Sequence, residues 1–228
     1  MPSPCGAGQW THANMNDSNL RSRVVRAAAL LAALTLATSV HAQKAPREGI
    51  DYRIVKPAQP VEAPAGKIEV IEFFGYWCPH CDAFEPAMSD WAKKNAANVE
   101  VRFVPFAFQP THIPFQKLYY TLAALGKESE LRRKVFAAVH GEHSMSPDVN
   151  SMADFAAKNG IDRKKFIDTF NSFTVLSKVN RANQIATAYG VDGVPMLGVG
   201  GKYLVSVQAQ TIGNADFFVA KAQAEKKS

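Results

Sequence analysis

Cysteine is scarce in this 228-residue chain, which holds only Cys5, Cys78 and Cys81. So few thiols exclude a small scaffold stapled by several disulfides. They also leave a closed zinc site short of ligands, since His112, His140 and His143 are scattered and the His140-Gly141-Glu142-His143 run reads as a helix end. Asp82 follows Cys81, which excludes haem attachment through Cys-x-x-Cys-His. Internal repeats and low-complexity tracts are absent.

Long apolar runs are missing as well. The uncharged stretch from Ala27 to Val40 is shorter than the roughly 20 residues of a spanning helix. With Arg21, Arg23 and Arg26 before it and Val40-His41-Ala42 after it, the stretch reads as a secretory signal over residues 1–42 with a mature start at Gln43. Met15 would give a leader of ordinary length and is an alternative start. Cys5 precedes the apolar stretch, so the exported chain keeps two thiols in roughly 186 residues, enough for one core with a sizeable insertion.

A strong charge of one sign is also lacking. The net charge of +6 falls to about +4 without Arg21, Arg23, Arg26 and Asp17. Arg132-Arg133-Lys134 and Arg163-Lys164-Lys165 lack interleaved aromatics and read as solvated helix faces, so no nucleic-acid partner is expected. A monomer is expected.

What remains is Cys78-Pro79-His80-Cys81, set just after the apolar run Ile68-Glu69-Val70-Ile71-Glu72-Phe73-Phe74. A strand feeding such a motif at the start of a helix implies redox chemistry. Pro79 suits the first helical position and disfavours helical geometry at Cys78, which makes Cys78 the N-cap. A thiolate there is stabilised by the amides of His80 and Cys81, by the helix dipole and by a protonated His80. Stabilising the reduced, ionised form favours giving the disulfide away. Cys81, Phe84, Met88 and Trp91 recur at helical spacing, which buries Cys81 and leaves Cys78 as the attackable sulfur. A purely structural role for the pair is disfavoured, because so short a loop constrains the unfolded chain little.

The flanking pattern predicts strands at Tyr52–Val55, Ile68–Phe74 and Val99–Phe106, with a helix from Pro79 to about Asn95 between the last two, forming a β-α-β unit. Pro57, Pro60 and Pro64 interrupt the chain after the first strand. Helices follow at Phe115–Leu125, Glu128–His140, Met152–Asn159, Asp162 to Phe170 and about Thr174 to Tyr189, several closed by glycine. Two strands, Met196–Gly200 and Lys202–Ser206, meet at a Gly200-Gly201 turn, and a last helix starts near Asn214. Glu72 shares a strand face with Ile68, Val70 and Phe74, where a charge is costly. It is the candidate to exchange a proton with Cys81, with Arg102 as its candidate partner. Glu85 reads as a helix-surface residue.

The chain resembles the DsbA family over nearly all of its exported length. The resemblance rests on Glu72-Phe73-Phe74, Cys78-Pro79-His80-Cys81, Phe84-Glu85, Gly193-Val194-Pro195 and Gly200-Gly201-Lys202-Tyr203. It implies an α/β thioredoxin-like fold, residues 43–110 and 188–228, interrupted by an all-helical domain over 111–187. It implies a periplasmic dithiol oxidase whose only redox group is the Cys78–Cys81 disulfide, with no bound cofactor and no metal. Reduced exported polypeptides are the implied substrates, and a quinone-linked membrane protein like DsbB the implied reoxidant. His80 then tunes the potential, Val194-Pro195 is a cis peptide facing the disulfide, and Val194 offers backbone groups to an extended substrate. Trp77 and Phe108 are candidates to line that groove. A disulfide isomerase or reductase of the same fold is the enzymatic alternative. A metal-binding carrier is the alternative from another class.

Overall fold

The computed structural model describes residues 45–206 and 212–227. The leader, Cys5, Met15 and Gln43 lie outside the described residues. Strand β1 (Tyr52–Ile54) leads through a proline-rich connection to β2 (Ile68–Phe74), whose seven residues are all buried. Helix α1 (Pro79–Asn95) returns the chain to β3 (Val99–Pro105), which pairs in parallel with β2 along its whole length. Pro105 ends that strand because it brings no amide to a ladder.

Five helices then intervene before the sheet resumes: α2 (Ile113–Ala124), α3 (Glu128–Phe136), α4 (Val149–Lys158), α5 (Arg163–Phe170) and α6 (Phe173–Tyr189). Their starts are set by side-chain caps that accept amide protons: Asp148 from Asn150 and Ser151, Asp162 from Lys165, and Ser172 from Val175. The helix expected over Glu128–His140 divides, because α3 passes into a π turn at Ala137–Gly141. The helix expected from Met152 starts three residues earlier, since Asp148 supplies the cap.

Strands β4 (Met196–Val199) and β5 (Tyr203–Val205) form the expected hairpin, and helix α7 (Ile212–Lys227) closes the described chain. Gly200 and Gly201 both have positive φ, at 58° and 72°. The Gly201 Cα also faces the Gln59 carbonyl so closely that a side chain would collide with it, while Gln59 N–H donates to Gly201 O at 2.8 Å. The sheet order is β1-β5-β4-β2-β3, antiparallel except for the β2–β3 pair.

Alternation along β2 divides the interior into two apolar clusters. Ile68 and Val70 pack with Met88 and Trp91 of α1 and with Ala215 and Phe218 of α7. Ile71 and Phe73 belong to a larger cluster that includes Leu118, Leu122, Leu131, Val135, Phe136, Ile185 and Tyr189 of the intervening helices. Helices on both sides of the sheet thus hold the C-terminal end of β2, and with it the residues that follow, in a fixed place. Trp91 Nε1 donates to Asp216 Oδ1 at 2.7 Å and ties α1 to α7.

Candidate functional site

The redox motif sits where β2 ends and α1 begins. Cys78 is the N-cap, with extended φ −96° and ψ 118°, and Pro79 holds the first helical position. Its carbonyl accepts the amides of Cys81 and Asp82 at 3.1 and 3.2 Å, and its own amide donates to Gly75 O at 3.0 Å. Gly75 is needed there, because a Cβ would overlap the Trp77 indole. Both cysteines are free thiols. Cys81 is completely buried, whereas Cys78 keeps 4 % of its surface exposed.

The two sulfurs have opposite acidities. The Cys78 pKa falls to about 6, chiefly because the Cys81 thiol donates to its sulfur; against burial, the amides of Cys81 and His80 and the His80 imidazole add to the effect. Cys78 Sγ makes no full capping hydrogen bond, so the helix N-terminus acts on it as a field. Cys81 is pushed strongly upward by burial and then by its hydrogen bond and charge coupling to Cys78. A pair so divided has one good leaving group and one strong base.

Val194–Pro195 is a cis peptide, and the Cys78 thiol donates a weak hydrogen bond to Val194 O at 3.6 Å. The pre-hairpin segment therefore lies directly against the reactive sulfur, as the resemblance implied. A second cis peptide, Lys56–Pro57, carried no sequence signal that separated it from Pro60 or Pro64. His80 is exposed at the helix start. Trp77 donates from Nε1 to Phe106 O at 3.1 Å, stacks on His112 with ring centroids 3.8 Å apart, and meets the exposed Phe108 edge-on.

Glu72 is buried, with 2 % exposure and one carboxylate oxygen lacking a hydrogen bond. Burial raises its pKa to about 8, against the opposing charge of Arg132. Arg102 is not its partner. Arg102 is in register with Ile71, so it projects from the opposite face of the sheet and pairs with Glu69 at 3.3 Å and Glu62 at 3.1 Å.

Two further expectations are corrected by the packing of α3 on α1. Arg132 is 7 % exposed, so the first basic triplet is solvated at Arg133 and Lys134 but not at Arg132. Glu85 is buried as well: Ser89 Oγ donates to it at 2.6 Å, and Arg133 Nε lies 3.3 Å from its Oε2. Pro86 sits inside α1 and has no amide to offer Asp82 O. Arg133 Nη1 supplies the missing donor at 3.2 Å and also meets Asp82 Oδ1 at 2.7 Å. Lys164 and Arg163 of the second triplet are exposed, as expected. The run from His140 marks a helix end, as expected, since the π turn closes at Gly141, and His140 Nε2 donates to Tyr76 O at 2.8 Å. Among the described residues no cluster of three or more His, Cys, Asp or Glu suited to a metal occurs.

A family model described as "DSBA-like thioredoxin domain" matches residues 69–222. The thiol:disulfide interchange protein DsbA of Burkholderia cepacia is 44 % identical over 159 residues, covering 70 % of this chain and 75 % of that protein. Its counterpart from Bordetella parapertussis is 44 % identical over 190 residues, covering 83 % and 88 %. The crystal structure of Pseudomonas aeruginosa DsbA superposes with a TM-score of 0.73 at 37 % identity, over 78 % of this chain and 95 % of that one. With its dithiol at the head of α1 and its helices between β3 and β4, the chain belongs to the DsbA family of thioredoxin-like thiol:disulfide oxidoreductases.

Proposed function

We propose that this oxidoreductase donates its Cys78–Cys81 disulfide to reduced, newly exported polypeptides in the periplasm. The observation that carries this direction is the acidity of Cys78, which lies near 6 while Cys81 is driven far above an ordinary thiol. A substrate thiolate attacks Cys78 Sγ, forming the mixed disulfide as the Cys78–Cys81 bond breaks and Cys81 leaves with the electron pair. Cys81 then takes a proton, which Glu72, still carboxylic acid near neutral pH, is suited to supply. A second substrate thiolate attacks the substrate sulfur of the mixed disulfide and expels Cys78 as a stable thiolate, completing transfer of two electrons to the enzyme.

In this reading Pro79 and His80 shape the field at Cys78, while Val194 and Pro195 form the wall against which an extended substrate lies. The disulfide is the only redox group required, so no cofactor or metal is invoked. A DsbB-like quinone-linked membrane protein restores the disulfide at the same face. The chain works as a monomer without nucleic acid.

Equilibration with glutathione buffers tests the direction, with the Trp77 emission as readout beside the dithiol. The potential is expected to be more oxidising than about −180 mV, the value typical of protein disulfide isomerase. A potential near about −270 mV, as in thioredoxin, would overturn donation in favour of reduction.

A further inference from the structure

The helices between β3 and β4 do more than cover the sheet, because one of them reaches into the redox centre from behind. Arg132 of α3 donates to both carboxylate oxygens of Glu128, from Nε at 2.9 Å and Nη2 at 2.6 Å. Tyr76, two residues before Cys78 and fully buried, donates its hydroxyl to the same Glu128 at 3.0 Å. The Arg132 guanidinium lies over the Phe103 ring, its Cζ 3.3 Å from the centroid. Phe103 is the β3 residue in register with Glu72. The cation is therefore held above the cross-strand neighbour of the buried acid, on the acid's own side of the sheet.

We propose that Arg132, oriented by Glu128 and Tyr76, is a positioning residue by which the helical insertion sets the charge of Glu72 and so the proton exchange of the dithiol. This rests on the assignment of Glu72 as the proton partner of Cys81. The groups that bear on Glu72 can be enumerated by element. Strand β3 offers Phe103 and β4 offers Leu197 at the register positions, and neither carries charge. The redox helix and its cap offer Glu85, Cys78 and Cys81, all of which oppose a second negative charge or are opposed by it. Helix α3 offers Arg132 and Glu128, of opposite sign. Arg133 beside it is committed to Asp82 and Glu85. Arg132 is thus the only cation among these groups that acts on Glu72, and Glu128 is its counter-charge.

That pairing permits a test in which structural damage and charge control give different signs. Arg132→Met and Glu128→Gln each break the same buried ion pair. The first removes the cation and should raise the Glu72 titration midpoint by about one pH unit, while the second frees the cation and should lower it by a similar amount. Arg132→Lys should restore most of the shift. The carboxyl carbon signal of labelled Glu72 in the full-length exported protein reads the midpoint directly. The rate at which Cys81 displaces substrate from the mixed disulfide, followed against pH, reads its effect on chemistry. Midpoints that move together in both variants, or do not move, overturn the proposal. A displacement profile unchanged by Glu72→Gln would instead defeat the assignment of Glu72, whatever the two midpoints do.

Discussion

Cys78→Ser should leave no disulfide transfer above the substrate's own uncatalysed exchange. The loss is complete because, among the described residues, no second thiol is placed to substitute: Cys81 has no exposed surface, and its thiol is pushed far from ionisation by burial. Cys81→Ser should behave differently. It keeps Cys78 at the N-cap with the His80 amide and imidazole acting on it, but removes the thiol that displaces a bound substrate and also the largest contribution to the acidity of Cys78. Given a substrate activated as a mixed disulfide, this variant should accumulate one covalent adduct per enzyme, visible as a mass increase that disappears on reduction. Turnover retained by Cys78→Ser, or an adduct formed through Cys81 in its place, would reverse the two roles.

Glu72→Gln should make the disulfide form markedly more stable in alkali. With both thiols reduced the folded chain holds the Glu72 proton up to about pH 8, chiefly because burial disfavours the carboxylate, and that burial persists in the disulfide form, whereas an ordinary glutamate releases the proton near 4.5. Below about pH 4.5 both states carry the proton and folding is indifferent to it. As pH rises the unfolded chain ionises first, so stability declines up to about pH 8 and then levels, by an upper limit of about 5 kcal/mol. Denaturant unfolding at a series of pH values should show this decline in the parent protein and its absence in Glu72→Gln. Parallel profiles would mean that Glu72 is ionised in the folded chain. The disulfide form is the one to use, because reduction brings in Cys78, whose lowered pKa works in the opposite sense: it favours folding above pH 9, and that gain disappears as pH falls through about 6.

The elements that position the dithiol could be read locally. Five apolar residues and two glutamates in the seven-residue run before a Cys-Pro-His-Cys sequence define a strand and a helix start without outside help. The glycines at 126, 160 and 190, all with positive φ, close helices where the sequence places them. What was not readable depends on partners far along the chain. Nothing local says that β3 aligns Arg102 with Ile71 rather than with Glu72, yet that single register choice sends the arginine to the other face. Arg132 looks like surface charge in a helix rich in polar residues, and is buried only because α3 packs it over Phe103 of β3, while Arg133 stays about half exposed as it reaches Asp82 and Glu85. Glu85 follows the same logic. Its helical position alone gives no sign that an arginine 48 positions later will cover it. Ionic contacts of this kind are selected by tertiary packing, which composition and periodicity do not encode.

The two ends of the sheet bear on how such a protein survives its own clientele. Unfolded polypeptides carry unpaired backbone and tend to add themselves to any free strand. Here β1 is only three residues long and Pro57 follows three residues after its end, so little ladder is available at that side. At the other side β3 carries Glu100 and Arg102, stops at Pro105 and is packed by α2 and α6. Both margins are thereby poor templates, and the chain can meet sticky, half-folded molecules repeatedly without being drawn into their aggregates.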